Sequence, residues 1–254
     1  MYPSQWKTAL RAGQYDNVLT ALYGSRTEAQ KDRLCRALDA FEAHYGIRDV
    51  SLFSVPGRSE ISGNHTDHNH GRVLAAAVDL DLIAVAAKTN DDCIRVIGEG
   101  YDEDVVPTVG ITAENAPRYT SSALLAGMSD AFRKAGFAVG GFAAYTTSEV
   151  HKGSGLSSSA AFEVMIGSIL NHFYAEDRVS AVEIAKMAQY AENAFFGKPC
   201  GLMDQMACAV GGFIRIDFAD PAAPEVEQIP FDLAAHGYTL CIVNTGGNHA
   251  DLNE

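Results

Sequence analysis

HKGSGLSSSAAFE, running from His151 to Glu163, is the stretch on which the reading of this chain turns. Two glycines and a leucine lead into three consecutive serines, and an almost wholly apolar run continues to Phe173. The pattern predicts a glycine loop emptying into the N-terminus of a buried helix over 156–173. Such a terminus presents unpaired backbone N–H groups and the positive end of the helix dipole. It suits a phosphate, and the serine hydroxyls add donors or a metal ligand. No Gly-Lys-Ser/Thr follows, so the loop is not a Walker A motif. A tight turn with a serine N-cap explains the same residues structurally, and the two roles are compatible.

Two further stretches flank this one. Ser54 to Val78 reads SVPGRSEISGNHTDHNHGRVLAAAV, and Lys198 to Met206 reads KPCGLMDQM. The run G-S-G-L-S-S-S-A resembles the second signature of the GHMP small-molecule kinases. Ser54 to Val78 is similar to the galactokinase signature of that superfamily, in which Pro-Gly-Arg precedes Gly-Glu-His-Thr-Asp and then a Gly-Val-Leu strand. The matching residues are Pro56, Gly57, Arg58, Gly63, His65, Thr66, Asp67, Asn69, Gly71, Val73 and Leu74. KPCGLMDQM resembles the segment that carries the catalytic aspartate. All three occur in the family's order, and together they cover roughly Ser51 to Thr245.

The resemblance implies roles residue by residue. Gly153, Ser154, Gly155, Leu156, Ser157, Ser158 and Ser159 would cradle the phosphates of ATP, with Ser159 also reaching Mg²⁺. Glu192 would be the second Mg²⁺ ligand. Its position supports this independently, because Ile184, Ala188, Ala191 and Phe195 define an apolar helix face that Glu192 shares. An interior carboxylate needs a partner, so the alternative is a buried salt bridge to a Lys or Arg. Asp204 would be the catalytic aspartate, and Arg58 would stabilise charge on the transferring phosphoryl beside it. Asn64, His65 and Asp67 would hold sugar hydroxyls, Gly201 would let the backbone approach the sugar, and Asn248 and His249 could line the same pocket. The spacing of His65, Asp67, His68 and His70 matches no common zinc pattern.

Departures from the signature fall on the sugar side. Asn64 stands where the signature has Glu, and Ser59, Glu60, Ile61 and Ser62 replace Val-Asn-Leu-Ile. His68, Asn69 and His70 replace Tyr-Asn-Gly, and His151 replaces Pro. The implied activity is an ATP- and Mg²⁺-dependent sugar 1-kinase acting first on galactose. Asn64 keeps open a uronic acid, arabinose or N-acetylhexosamine, with Arg72 the nearest cation for a uronate. A catalytically silent sugar- and ATP-binding regulator is the rival of another class.

Composition agrees with a soluble enzyme and narrows its partners. The chain has 254 residues, enough for a sizeable core. Its net charge of −13, from 32 acids against 19 bases, disfavours a nucleic-acid partner, which needs a basic footprint. No apolar run reaches the roughly 18–20 residues that cross a bilayer, and the N-terminus lacks the apolar core of a signal peptide. Five scattered cysteines form no C-x-x-C pair, which fits reduced thiols in a cytoplasmic protein. The oligomeric state is left open.

Patterning along the chain predicts an α+β fold, a mixed sheet with packed helices, as in the N-terminal domain of a GHMP kinase. Residues 1–48 read as a helical lead-in with a helix over 26–45, and the signatures fall within 51–210. Strands are expected at 50–55, 72–78, 140–147, 212–218 and 238–244. A short apolar run covers 82–88 and an alternating one 94–98. Helices are expected at 119–135, 180–196 and 202–209, the second opening on a Ser180/Glu183 capping box. Asp220 to Pro230 reads as a surface connection. The resembled family continues into a second domain with a third glycine-rich signature. The sequence reading therefore takes residues 1–254 as an N-terminal kinase domain lacking that C-terminal partner.

Overall fold

One long strand organises the molecule. In the computed structural model, which describes residues 1–243, the runs at 72–78 and 82–88 join into a single strand, β2 (Arg72–Lys88). The preceding strand β1 (Ser51–Ser62) runs antiparallel to it along nearly its whole length. β1 extends seven residues past the expected end because Pro56 and Gly57 sit in the strand at a register irregularity, not in a turn. On the other edge of β2, its C-terminal half pairs with β5 (Phe142–Ser148) and its N-terminal half with β6 (Phe213–Asp217). β3 (Cys93–Gly98) lies parallel to β5, β4 (Glu103–Pro107) antiparallel to β3, and β7 (Glu225–Ile229) antiparallel to β6. The result is the expected mixed sheet, of seven strands.

Alternation along β2 divides the core between two faces, as period-2 side chains must. Leu82, Ala84 and Ala86 face a core shared with α4 (Ser121–Lys134), α5 (Ser158–Tyr174) and α6 (Ala181–Tyr190). Ile83, Val85 and Ala87 face the lead-in helices α1 (Pro3–Arg11), α2 (Asp16–Tyr23) and α3 (Thr27–Tyr45). A smaller cluster under α7 (Met203–Val210) holds Val73, Ala75, Met203, Met206 and Ile214 at the other end of β2.

Helix α6 begins as its capping box predicts: the Ser180 hydroxyl accepts from Glu183 N–H at 3.2 Å, and Glu183 Oε2 accepts from Ser180 N–H at 3.0 Å. It does not continue as an α-helix to residue 196. Residues Ala191–Phe196 form a π-helical turn, closed by Gly197 in a left-handed conformation. Three other expectations are corrected. Glu103–Pro107 is an edge strand that alternation alone did not show. The connection at 220–230 contains β7. Residues 238–243 form no strand, and residue 244, Asn248 and His249 lie outside the described residues. The five cysteines are all free thiols, Cys35 and Cys208 buried. No described helix is long and apolar enough to cross a membrane.

Candidate active site

Two separate segments, β1 and the glycine loop, converge on Asp204 in the first turn of α7. Arg58, on β1, donates from Nε to Asp204 Oδ1 at 2.8 Å and from Nη2 to Oδ2 at 2.7 Å. This is the bidentate fork geometry that makes Arg–carboxylate pairs strong and directional. The third guanidinium nitrogen, Nη1, donates to the Gly155 carbonyl in the glycine loop at 2.7 Å. Ser157 Oγ also donates to Asp204 Oδ2. Arg58 is buried, whereas the Asp204 side chain keeps 32% of its surface exposed. Asp204 Oδ1 carries a single hydrogen bond from the protein and retains acceptor capacity toward solvent.

The glycine loop is pinned where β1 passes beneath it. Arg58 N–H donates to the Leu156 carbonyl at 3.1 Å. A side chain at Gly57 would put its Cβ 2.9 Å from that carbonyl oxygen, so the Pro-Gly-Arg glycine is needed for contact between strand and loop. Ser154 Oγ closes the loop by donating to His151 O at 2.6 Å. Helix α5 then starts at Ser158, and its first i→i−4 bond runs from Ala161 N–H to Ser157 O at 3.0 Å. The N–H groups before Ala161 thus belong to the unpaired first turn, which can receive an anion. Ser158 and Ser159 lie half-buried there beside the exposed Gly155. Ser157 is the N-cap, in a left-handed conformation. Its hydroxyl points to Asp204, so it serves the carboxylate more than the cradle.

The sugar-loop residues divide. Asp67 is buried, and its Oδ2 accepts from Met203 N–H at 3.2 Å, next to Asp204. Its Oδ1 is buried with no hydrogen-bond partner, and His68 Nε2 lies 3.9 Å from it. Gly201 has a different reason to be glycine from the one expected: a Cβ there would fall 1.7 Å from Asp67 Oδ2. Its small size seats Asp67 against the start of α7, whether or not it also admits a sugar. Asn64 and His65 are exposed, both with φ of 52°. Arg72, considered as a cation for a uronate, is engaged instead with Asp217, Nε to Oδ2 at 2.6 Å.

Glu192 is buried in the π-helical turn and makes no ion pair with Lys or Arg among the described residues. The salt-bridge alternative therefore finds no support there. Its Oε2 accepts from Gln205 Nε2 at 2.8 Å. The same nitrogen lies 3.2 Å from Oε2 of Glu163, which is wholly buried on α5, and 3.5 Å from the Cys200 sulfur. Burial first, then the charge of Glu192, pushes the Glu163 carboxyl well above its ordinary value. Burial raises Glu192 too, and it raises the Cys200 thiol. Glu163 Oε1 and Gln205 Oε1 have no partner. The sequence reading missed Glu163, Gln205 and Cys200. The available signal was Glu163 itself, an acid in an apolar helix four residues after Ser159 and so on the same face.

A buried acidic pocket with unpartnered Glu163 and Gln205 oxygens, and with no ion pair from Lys or Arg among the described residues, fits a hard divalent ion. Among the described residues no group of three or more His, Cys, Asp or Glu is placed to hold a metal. Mg²⁺ does not require one, since it keeps waters and phosphate oxygens and takes one or two protein ligands.

Comparison with known proteins agrees with this geometry. Residues 122–212 match the GHMP kinases N terminal domain, and residues 39–88 match the galactokinase galactose-binding signature. The chain is 35% identical over 217 residues to a galactokinase of Streptomyces coelicolor, covering 84% of this chain and 54% of that protein. The chain belongs to the galactokinase family of the GHMP kinases. A galactokinase of Exiguobacterium sibiricum is 32% identical over 209 residues, covering 81% of this chain and 52% of that one. Lactococcus lactis galactokinase, solved with galactose, superposes with a TM-score of 0.70 at 26% identity, over 77% of this chain and 51% of its own. Mevalonate kinase of Methanococcus jannaschii shares the fold, with a TM-score of 0.58 at 17% identity. The chain spans about half the length of the curated relatives it matches.

Proposed function

We propose that this chain carries the sugar and phosphate machinery of an ATP-dependent sugar 1-kinase, with galactose as its substrate. The observation that carries the reading is the triple engagement of Arg58, which holds both oxygens of Asp204 while its remaining nitrogen holds the glycine loop. One side chain thereby sets the distance between the acceptor's base and the phosphate cradle. Phosphoryl transfer depends mainly on such positioning and on charge stabilisation.

In this mechanism the anomeric hydroxyl meets Asp204 Oδ1, which takes its proton as the oxygen attacks the γ-phosphorus of ATP. The bond from that phosphorus to the bridging oxygen of ADP breaks. Arg58 faces the transferring group with its positive charge and keeps the carboxylate fixed in plane. The α5 N-terminus, with Ser158 and Ser159, receives the phosphates. Asp67, seated on Gly201 and Met203, offers its unpartnered Oδ1 to a sugar hydroxyl. Ser159 and Glu192 would hold Mg²⁺, which neutralises charge on the phosphates when bound. The free thiols suit the cytoplasm.

Exposed Asn64 favours one second reading, the same chemistry on a sugar with a different far end. A calorimetric sugar panel with coupled ADP release separates the two. With the C-terminal domain that the resemblance implies joined to it, galactose is expected to bind and to be phosphorylated, whereas the isolated chain is expected to be largely inactive. Asp204→Asn is expected to keep sugar binding while losing turnover by about 10²–10⁴-fold, the usual contribution of a general base. Tighter binding of a uronate, pentose or N-acetylhexosamine would replace galactose in the proposal.

A further inference from the structure

The loop between β1 and β2 is held by a side chain to which the mechanism gives no role. Glu60 pairs with Ala75 at the end of β1, just before a register irregularity. Its carboxylate turns back over the loop. Oε1 accepts from the main-chain N–H of His65 at 3.0 Å, and Oε2 lies 3.3 Å from His65 Nε2. One carboxylate therefore grips one residue by its backbone and its ring. The Glu60 side chain is only 16% exposed, against 55% for that of His65, so the grip comes from beneath the loop.

The loop needs holding. Asn64 and His65 occupy the left-handed region in succession, at a cost of about 1–2 kcal/mol for each non-glycine residue. Glu60 has no Lys or Arg ion pair among the described residues, so His65 is its partner.

A second observation lies in the sequence. The galactokinase signature has an amide at the position of Glu60 and an acid at the position of Asn64. Here the acid stands at 60 and the amide at 64. The loop keeps one carboxylate and one carboxamide but exchanges their places.

We propose that Glu60 is the positioning residue of the sugar loop, and that Glu60 and Asn64 form a coupled pair in which the acid at 60 replaces the acid at 64. The proposal rests on the sugar-kinase reading and names the group that shapes its sugar loop. The exchange places a group with donors as well as an acceptor at the exposed position 64.

The test titrates galactose into the chain by calorimetry and follows amide hydrogen exchange at His65. Glu60→Gln is expected to weaken galactose about five- to tenfold, because the amide keeps the shape but loses the charge-assisted acceptor. Asn64→Glu alone is expected to weaken it as well, since two carboxylates then flank residue 65. The double exchange, Glu60→Gln with Asn64→Glu, is expected to return the affinity to within about twofold of the starting protein, a non-additivity that marks direct coupling. Unfolding midpoints should stay level across the set, which a merely structural role for Glu60 would not allow. His65 exchange should speed up in Glu60→Gln. Losses that simply multiply in the double variant overturn the coupling, and unchanged His65 exchange in Glu60→Gln overturns the grip. If the unaltered chain binds no galactose, the sugar reading fails, and the exchange measurement still decides whether Glu60 holds the loop.

Discussion

Two buried acidic clusters lie on opposite sides of the sheet, and they are built differently. Behind it, Asp81 accepts from Arg33 Nη1, Tyr23 OH and Ser54 Oγ, each at 2.5 Å. Arg33 also donates to the carbonyls of Asp81 and Thr147, at 3.0 and 2.7 Å. In front, Glu163 and Glu192 share one carboxamide nitrogen, pair with no arginine among the described residues, and leave Glu163 Oε1 and Gln205 Oε1 without a hydrogen-bond partner. The rear cluster is complete within the chain and fastens the lead-in helices to the sheet. The front cluster is incomplete and needs something from outside, a proton or a cation. The contrast separates a carboxylate that holds the fold from carboxylates that wait for a ligand.

The largest effect expected from this contrast is at the rear. Arg33→Met leaves Asp81 charged and buried and should cost about 3–5 kcal/mol in urea unfolding. Adding Asp81→Asn should recover much of that loss. A cost under about 1 kcal/mol for the single change would make the network no stronger than a surface pair and would break the comparison.

Next comes the front cluster's response to Mg²⁺ and ATP. Ligand binding to the native state should raise the melting temperature, by an amount equivalent to about 2.7 kcal/mol at a hundred times Kd. Glu192→Gln should remove most of the Mg²⁺-dependent part of that rise, and Glu163→Gln should retain it. The reverse pattern would assign the metal to Glu163.

A pH series sharpens the same point in metal-free buffer. Burial holds the Glu163 carboxyl above its ordinary 4.5 in the folded chain, so the native state binds the proton more tightly than the unfolded state. Its stabilising contribution is complete below about pH 4.5 and is lost as pH rises through the folded value. Glu163→Gln abolishes that loss. The variant should gain on the wild type as pH rises from about 4.5, by no more than about 1.4 kcal/mol per pH unit for one proton. A difference independent of pH would show that Glu163 is not held protonated.

The smallest effect is Tyr23→Phe, which removes one donor to Asp81 and should cost about 1 kcal/mol. Burial and the Asp81 charge both raise the Tyr23 phenol, so the loss should be flat across neutral pH.

The parts of this molecule that were legible in the sequence are those where local chemistry and tertiary packing agree. Ser180 and Glu183 cap α6 by neighbouring atoms alone, and the glycine-serine run enters α5 where its apolar tail begins. Edge strands were not legible. β4 and β7 carry Glu103, Asp104, Glu225 and Glu227 on half-exposed backbone, and although each folds back on the strand just before it, an edge strand with so many acids shows no clean apolar alternation. Pro56 and Gly57 carried turn signals because nothing local shows that the glycine loop packs on them. The resemblance named Arg58, Asp67, Asp204 and Glu192 one by one, but the contacts they make were not legible in the sequence. That Ser157 serves Asp204, that Gly201 makes room for Asp67, and that Gln205 bridges two acids are facts of side-chain direction across long separations.

β2 works as a ruler. Its seventeen residues span roughly 55 Å at the usual rise of a strand. The strand that feeds the glycine loop hangs from positions 82–88, and the strand that follows the Asp204 helix hangs from positions 72–76. The separation between the glycine loop and Asp204 is therefore measured out along one piece of backbone. A pairing slip of two residues at either end preserves the inward and outward alternation, so the core still closes. It would nonetheless shift one half of the candidate site by about 6–7 Å past the other, beyond the reach of Arg58. Misalignment here would yield a core that closes around a site that never assembles.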